Sequence, residues 1–212
     1  MEIKFIWEEI YERKNCDNCP LKYKSHPLLF KPAKRVKVMV VTEGPNEEAE
    51  PEFITSIANH PTFTFLRTLF QGKFQPQGAN ANVYWAHLRK CFLRTRSGKR
   101  FIGDKDEDKA LEICSKNYLV REIKALKPKF IVATGSKADK FFSKYDDRLK
   151  RKKLEDLVFK EGGVFNNVGI EEFTTKIIIV PHPSGRNTLW TKLPINAKKV
   201  LEKIQKEIIK NL

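Results

Sequence analysis

Short β-branched runs alternate along this chain with longer stretches whose apolar residues recur at helical spacing. Residues 2–14 place Ile3, Phe5, Ile6, Trp7, Ile10 and Tyr11 as a short amphipathic helix would. Val36-Lys37-Val38-Met39-Val40-Val41 reads as a buried strand, stopped by the polar Thr42-Glu43-Gly44-Pro45-Asn46. Residues 62–70 read as a helix with Phe63, Leu66 and Phe70 on one side, followed by a loop rich in Gly, Gln and Asn. Residues 83–91 read as a strand with Val83, Trp85, His87 and Arg89 facing one way. A charged loop is expected over residues 94–107, and the clearest helix over residues 108–127, where Pro128 ends it. Phe130-Ile131-Val132-Ala133-Thr134-Gly135 is another buried strand, followed by a helix over 136–142 and a strongly charged stretch over 145–160. Lys176-Ile177-Ile178-Ile179-Val180 is the last buried strand, cut off by Pro181-His182-Pro183-Ser184. The chain closes on a helix with Val200, Leu201, Ile204 and Ile208 on one stripe.

Short, wholly apolar strands separated by helices predict a parallel, doubly wound α/β sheet. Such sheets bind ligands beyond the carboxyl ends of their strands. The loops after Val41, after the 83–91 strand and after Val180 are therefore the places to look.

Composition narrows the partner. The 212 residues suit one domain with a real core, and 41% of them are apolar. Lys and Arg number 41 against 26 Asp and Glu, a formal charge of +15. Ion-pair networks need balanced charge, so this excess points to a polyanion, DNA or RNA, or to an anionic surface. The Lys- and Glu-rich, Gln-poor composition also fits a protein from a hot environment. No stretch approaches the roughly 20 apolar residues of a membrane span. The early acid at Glu2 and the lack of a signal-peptide core lead us to expect an intracellular protein with no membrane partner.

Four cysteines, Cys16, Cys19, Cys91 and Cys114, carry the most distinctive chemistry. Cys16-Asp17-Asn18-Cys19 is a C-x2-C knuckle whose two thiolates can reach one metal. With Cys91 and Cys114 it would form a zinc or iron–sulfur centre joining the N-terminus to an internal segment. Glu43 follows a buried strand, where a carboxylate can position water or steady a cation, and Gly44 would let a substrate approach the backbone; a simple β-turn is the alternative. His182 stands between two prolines that stiffen its backbone, as a site needing an imidazole donor requires. Arg89, Lys90, Arg94, Arg96, Lys99 and Arg100, interleaved with Phe92 and Phe101, fit phosphate contact, with a solvated charged face as the alternative. Lys150-Arg151-Lys152-Lys153 reads as solvated surface.

Taken in order, these pieces resemble the uracil–DNA glycosylase superfamily, and most nearly its iron–sulfur family four branch of bacteria and archaea. That branch has an N-terminal C-x2-C, then a strand with a G-E-x-P-G loop, matched by Thr42-Glu43-Gly44-Pro45-Asn46. A strand ending in K-C is matched by Lys90-Cys91. The pattern E-I-x-x-C-x-x-Y-L-x-x-E-I is matched from Glu112 through Cys114, Tyr118 and Glu122 to Ile123. P-K-x-I-V-A-x-G is matched from Pro128 to Gly135, and H-P-[SA] by His182-Pro183-Ser184. The order of motifs covers nearly the whole chain.

The resemblance implies a three-layer α/β/α sandwich around a central, mostly parallel four-stranded sheet, in a single domain over residues 1–212. It implies a DNA repair glycosylase that flips a deaminated base, uracil first, and hydrolyses its N-glycosidic bond. The alternative is a catalytically altered or inactive iron–sulfur nucleic-acid-binding protein on the same scaffold. Cys16, Cys19, Cys91 and Cys114 would hold a four-iron, four-sulfur cluster, with zinc as the alternative. Glu43 and His182 match the acidic and histidine residues of the two catalytic motifs. Phe53 would stack on the flipped base, with Gly44, Asn46 and His87 at the base. Ser184, Arg186, Asn187 and Leu189 belong to the loop that would enter DNA, with Arg186 and Leu189 as its wedge. Asn46 stands where the family has glycine, and His87 where it has a base-reading asparagine. A monomer in the cytoplasm, associated with the nucleoid, is expected.

Overall fold

The computed structural model describes residues 2–29, 36–47, 66, 71, 83–182 and 195–211. Helix α1 (Ile3–Tyr11) buries Ile6, Trp7 and Ile10 on the stripe their spacing predicts. Arg13 and Asn15 then take left-handed backbone angles that turn the chain into the Cys16 knuckle. Strands β1 (Val38–Thr42), β2 (Val83–His87) and β3 (Phe130–Thr134) are buried on both faces. That burial explains why β1 and β3 read as apolar runs.

Strand β4 (Val164–Ile170) pairs antiparallel with β5 (Phe173–Val180), which runs parallel to β3. The sheet order is β2-β1-β3-β5-β4. The sheet is therefore central and mostly parallel, as expected, but has five strands where four were expected. β4 escapes a reading by pattern because its alternation breaks at a bulge between Phe165 and Val168, where Asn167 has a φ of 57°. It is an edge strand, with Asn166, Asn167 and Gly169 exposed.

The expected long helix is divided in three. Helix α2 (Asp104–Cys114) begins four residues earlier than its apolar stripe suggests. Its first turn carries Asp104, Asp106 and Glu107, whose charges complement the amino-terminal end of the helix dipole, so part of the expected charged loop is helical. A π-helical turn (Ser115–Leu119) follows, then helix α3 (Val120–Leu126). Lys127, in a left-handed conformation just before Pro128, ends it. Beyond β3 come helix α4 (Gly135–Phe142), a 3-10 turn (Asp147–Leu149) and helix α5 (Leu154–Phe159). Helix α6 (Ile195–Asn211) closes the chain and buries Ile204 and Ile208. Of the helix expected over 62–70, Leu66 alone is described, and it is fully buried. No helix among the described residues is long and apolar enough to cross a membrane.

Candidate active site

β1, β2, β3 and β5 run in one direction, so their carboxyl ends share one edge of the sheet. Thr42 of β1 is in register with His87 of β2, and Thr134 of β3 with Val180 of β5. Beyond the paired residues, the Leu88 and Arg89 amides donate to the Thr42 and Glu43 carbonyls, each at 2.9 Å. Glu43 and His87 thus emerge from adjacent strands, and His182 follows β5, which β3 separates from β1. His182 sits close enough to His87 for its charge to bear on that imidazole.

Each group has a distinct setting. His87 is buried, with Nδ1 2.7 Å from Thr42 Oγ1, and that hydroxyl also accepts the Trp85 indole N–H at 2.9 Å. Burial, reinforced by Lys90, Arg89 and His182, holds His87 well below its ordinary value of 6.5, so the ring is neutral at physiological pH. His182 is half-buried and rests on Gly135. A Cβ at Gly135 would lie 3.0 Å from the His182 Cβ, and Gly135 has a φ of +81°. Glycine is required there by both conformation and space.

Glu43 is half-buried. Burial, then a side-chain hydrogen bond with Glu107 and the charge of Glu107, raise its carboxyl above the ordinary 4.5, while Arg89 and Lys137 pull it down. At Gly44 the missing side chain makes room for Arg89. A Cβ there would lie 2.7 Å from the Arg89 carbonyl oxygen and 3.2 Å from two of its side-chain carbons. Asn46 exposes its side chain, and its carbonyl accepts the amides of Leu93 and Arg94 at 3.1 and 2.8 Å.

The basic segment after β2 also differs from expectation. Arg89 and Lys90 are buried and cannot meet phosphate. Arg89 Nη1 donates to the carbonyls of Pro45, at 2.9 Å, and Cys91. Lys90 Nζ lies 2.5 Å from Glu122 Oε2, and the Tyr84 hydroxyl donates to the other carboxylate oxygen at 2.6 Å. Arg100 pairs with Asp104 and Glu107. Arg96 and Lys99 are the members of the segment that face solvent. A run of cations looks the same in sequence whichever way each side chain turns, so only packing separates these roles.

The strand expected to reach Cys91 leaves the sheet after His87. Residues 90–92 pair instead with the segment after the knuckle: the Leu28 amide donates to the Lys90 carbonyl at 2.9 Å, and Pro27 bridges to Cys91. This pairing draws the Cys16–Cys19 knuckle toward Cys91. Cys19 and Cys91 pack against one apolar cluster, and Cys16 and Cys114 belong to the main core. All four thiols are free, and their charges bear on one another. Burial pushes Cys91 up to about 12 and raises Cys114 well above its ordinary value. The Lys90 amide donates to Cys114 Sγ at 3.3 Å, and the Tyr118 hydroxyl lies 3.3 Å from Cys16 Sγ. An all-thiolate set with hydrogen bonds to sulfur fits a soft metal centre, whose positive charge would hold such thiols ionised. Among the described residues, however, no three His, Cys, Asp or Glu side chains converge on a position for a single metal ion.

Phe53, Ser184, Arg186, Asn187 and Leu189 lie outside the described residues. Sequence reasoning missed Glu107, which it left in a charged loop, and the buried pair Lys90–Glu122. The acidic first turn of α2 was the available signal for Glu107; Glu122 looks like an ordinary helical surface residue.

An acid and two imidazoles at the carboxyl edge of a parallel sheet define an α/β protein with its site where such folds bind ligands. The chain belongs to the uracil DNA glycosylase superfamily, which it matches over residues 30–208. That membership supports a DNA glycosylase in general, acting on DNA. The matched span includes Cys91 and Cys114 and begins after the knuckle. Compared with the curated proteins, the chain matches none.

Proposed function

We propose that this protein is a DNA repair glycosylase of the iron–sulfur branch, which extrudes a deaminated base, uracil first, and hydrolyses its N-glycosidic bond to leave an abasic site. The observation that carries the reading is the gathering of Glu43, His87 and His182 at one sheet edge in a chain of this superfamily. Reaching a base inside a duplex requires flipping its nucleotide into a pocket. Bond cleavage then builds positive charge on the sugar and negative charge on the departing base. In this reading His182 donates to the base carbonyl, while Glu43 positions the attacking water and steadies the sugar. Neutral His87 keeps one ring nitrogen to donate and one to accept, and its bond to Thr42 holds the ring in place. Phe53 stacks on the base, and Gly44 and Asn46 shape the loop beside it. Ser184, Arg186, Asn187 and Leu189 contact DNA, with Arg186 and Leu189 filling the gap left by the base.

Cys16, Cys19, Cys91 and Cys114 would hold a four-iron, four-sulfur cluster. Each cysteine of a cubane binds its own iron, so no three thiols need converge on one point, whereas zinc requires that they do. When bound, the cluster supplies covalent ties between the N-terminal knuckle and the segment that carries His87 and Arg89. The protein acts as a monomeric single domain, in the cytoplasm with the nucleoid.

The test is base release from oligonucleotides containing uracil, hypoxanthine or mismatches, beside an active relative. Cleavage of the uracil strand is expected, and release from none of them refutes the enzyme. His87, buried against Thr42, supports as the second reading a catalytically altered or inactive iron–sulfur nucleic-acid-binding protein on the same scaffold, which DNA affinity without turnover would select. A brown protein with broad visible absorption after anaerobic purification is expected for the cluster, and a colourless zinc-loaded protein counts against it.

A further inference from the structure

The loop that carries Glu43 is attached to Arg89 along its length. The Arg89 amide donates to the Glu43 carbonyl at 2.9 Å, and Arg89 Nη1 donates to the Pro45 carbonyl at 2.9 Å. Between these bonds, a Cβ on Gly44 would lie 2.7 Å from the Arg89 carbonyl oxygen, a backbone atom with little room to yield. The same Nη1 also donates to the Cys91 carbonyl. Arg89 is 2% exposed, and among the described residues its Nε meets no acceptor, so the tip of the guanidinium makes the attachment. The first turn of α2 braces that tip: Arg89 Nη2 lies 3.7 Å from Glu107 Oε1, and Arg100 Nη2 lies 2.9 Å from Glu107 Oε2.

We propose that Arg89 is a positioning residue for Glu43: its guanidinium ties the loop from Glu43 to Pro45 to the Cys91 segment and so fixes where the Glu43 carboxylate stands. The inference rests on the glycosylase reading for its catalytic consequence, though not for the clamp itself. The loop lies beyond the end of β1, and Pro45 has no amide with which to anchor it. A guanidinium presents its N–H bonds in one rigid plane, so a single nitrogen can hold two carbonyls at a set separation. A lysine ammonium on its flexible stem imposes no such separation. Displacing the Glu43 carboxylate by about 1 Å from the water it positions would slow hydrolysis roughly a hundredfold.

The experiment compares wild type with Arg89→Met, Arg89→Lys and Gly44→Ala by amide hydrogen exchange and by single-turnover base release from uracil-containing DNA. Methionine removes the donors, lysine keeps the charge without the fork, and the alanine methyl lifts the loop off Arg89 from the other side. Exchange of the amide at position 89, whose acceptor is the Glu43 carbonyl, should quicken on the order of tenfold to a hundredfold, least in Arg89→Lys. The Ile179 amide, which donates to the Gly163 carbonyl on the far side of β3, should exchange as in wild type. The maximal single-turnover rate should fall on the order of tenfold to a hundredfold, while the half-saturating DNA concentration stays within about threefold of wild type. Exchange quickened equally at both amides would mean that Arg89 merely supports the fold and would overturn the proposal. An unmoved amide at position 89, or a maximal rate within about twofold of wild type, would overturn it as well. If Arg89→Met does not fold, Arg89→Lys and Gly44→Ala decide by the same readouts. If wild type releases no base, the functional reading fails and the exchange rates alone decide the clamp.

Discussion

Replacing Lys90 with methionine should destabilise this protein more than any surface change. Lys90 is 1% exposed and Glu122 0%, and their charged atoms meet at 2.5 Å. Glu122 also accepts the Tyr84 hydroxyl at 2.6 Å, and Tyr84 in turn accepts the Trp7 indole N–H at 3.3 Å. Methionine matches the length of lysine without its charge, so Lys90→Met leaves a buried carboxylate with the Tyr84 hydroxyl as its one remaining donor among the described residues. Breaking a buried pair from one side costs about 3–5 kcal/mol. For a chain of this size that lowers the melting temperature by roughly 6–20 °C. Glu122→Gln alone should cost a similar amount, because it strands the ammonium. The double variant should return to within about 2 kcal/mol of wild type, since no buried charge is left and the glutamine oxygen still accepts from Tyr84. The assay is urea unfolding at neutral pH for all four proteins, with slopes compared to confirm that the same surface is exposed. Singles within about 1 kcal/mol of wild type, or a double variant equal to the sum of the singles, would refute the reasoning.

Three further outcomes follow from the site. Gly135→Ala forces a Cβ against His182 in a left-handed conformation, so it should cost about 1–2 kcal/mol and slow base release at least about tenfold by displacing the imidazole; unfolding and single-turnover rates measure the two effects. Thr42→Val removes the acceptor of the Trp85 indole and the partner of His87 Nδ1, and should cost about 1–3 kcal/mol by urea unfolding. Asp139 is 6% exposed, its Oδ1 meets no hydrogen-bond donor among the described residues, and burial raises its carboxyl from 3.8 to about 6. Its protonated form is the one the fold tolerates, so the Asp139 contribution is complete below pH 3.8 and lost as pH rises through about 6. Asp139→Asn should therefore stabilise the protein by roughly 3 kcal/mol at neutral pH and by little at pH 4, which unfolding at both pH values checks.

Much of the architecture was legible because burial on both faces leaves a local signature. β1, β3 and β5 read directly as apolar runs, and α1 and α6 as apolar stripes. β4 was not legible, since its bulge and its exposed edge face break the alternation on which such a reading depends. The division of the long helix by a π turn was equally hidden: Ser115–Leu119 has no residue that a helix refuses, and the widened turn appears where Tyr118 reaches Cys16 and Cys114 meets the Lys90 amide.

The site divides along the same line. Glu43 and His182 were identifiable as candidates because one follows an apolar run and the other stands in a proline-bounded break, whereas His87, read as lying within a strand, was marked only by the family resemblance. The sequence by itself determined which residue types are available at the carboxyl edge, since strand direction and loop position follow from local pattern. What those residues touch was decided by tertiary structure alone. Arg89 and Lys90 are adjacent cations, yet one clamps the Glu43 loop and the other neutralises Glu122. At Gly44 the space a side chain would take is occupied by Arg89, which no local pattern shows. Glu107 comes to bear on Glu43 only when the first turn of α2 is brought against Arg89. Charge and hydrogen bonding act over a few ångströms in space, and between residues far apart in the chain only packing sets that distance.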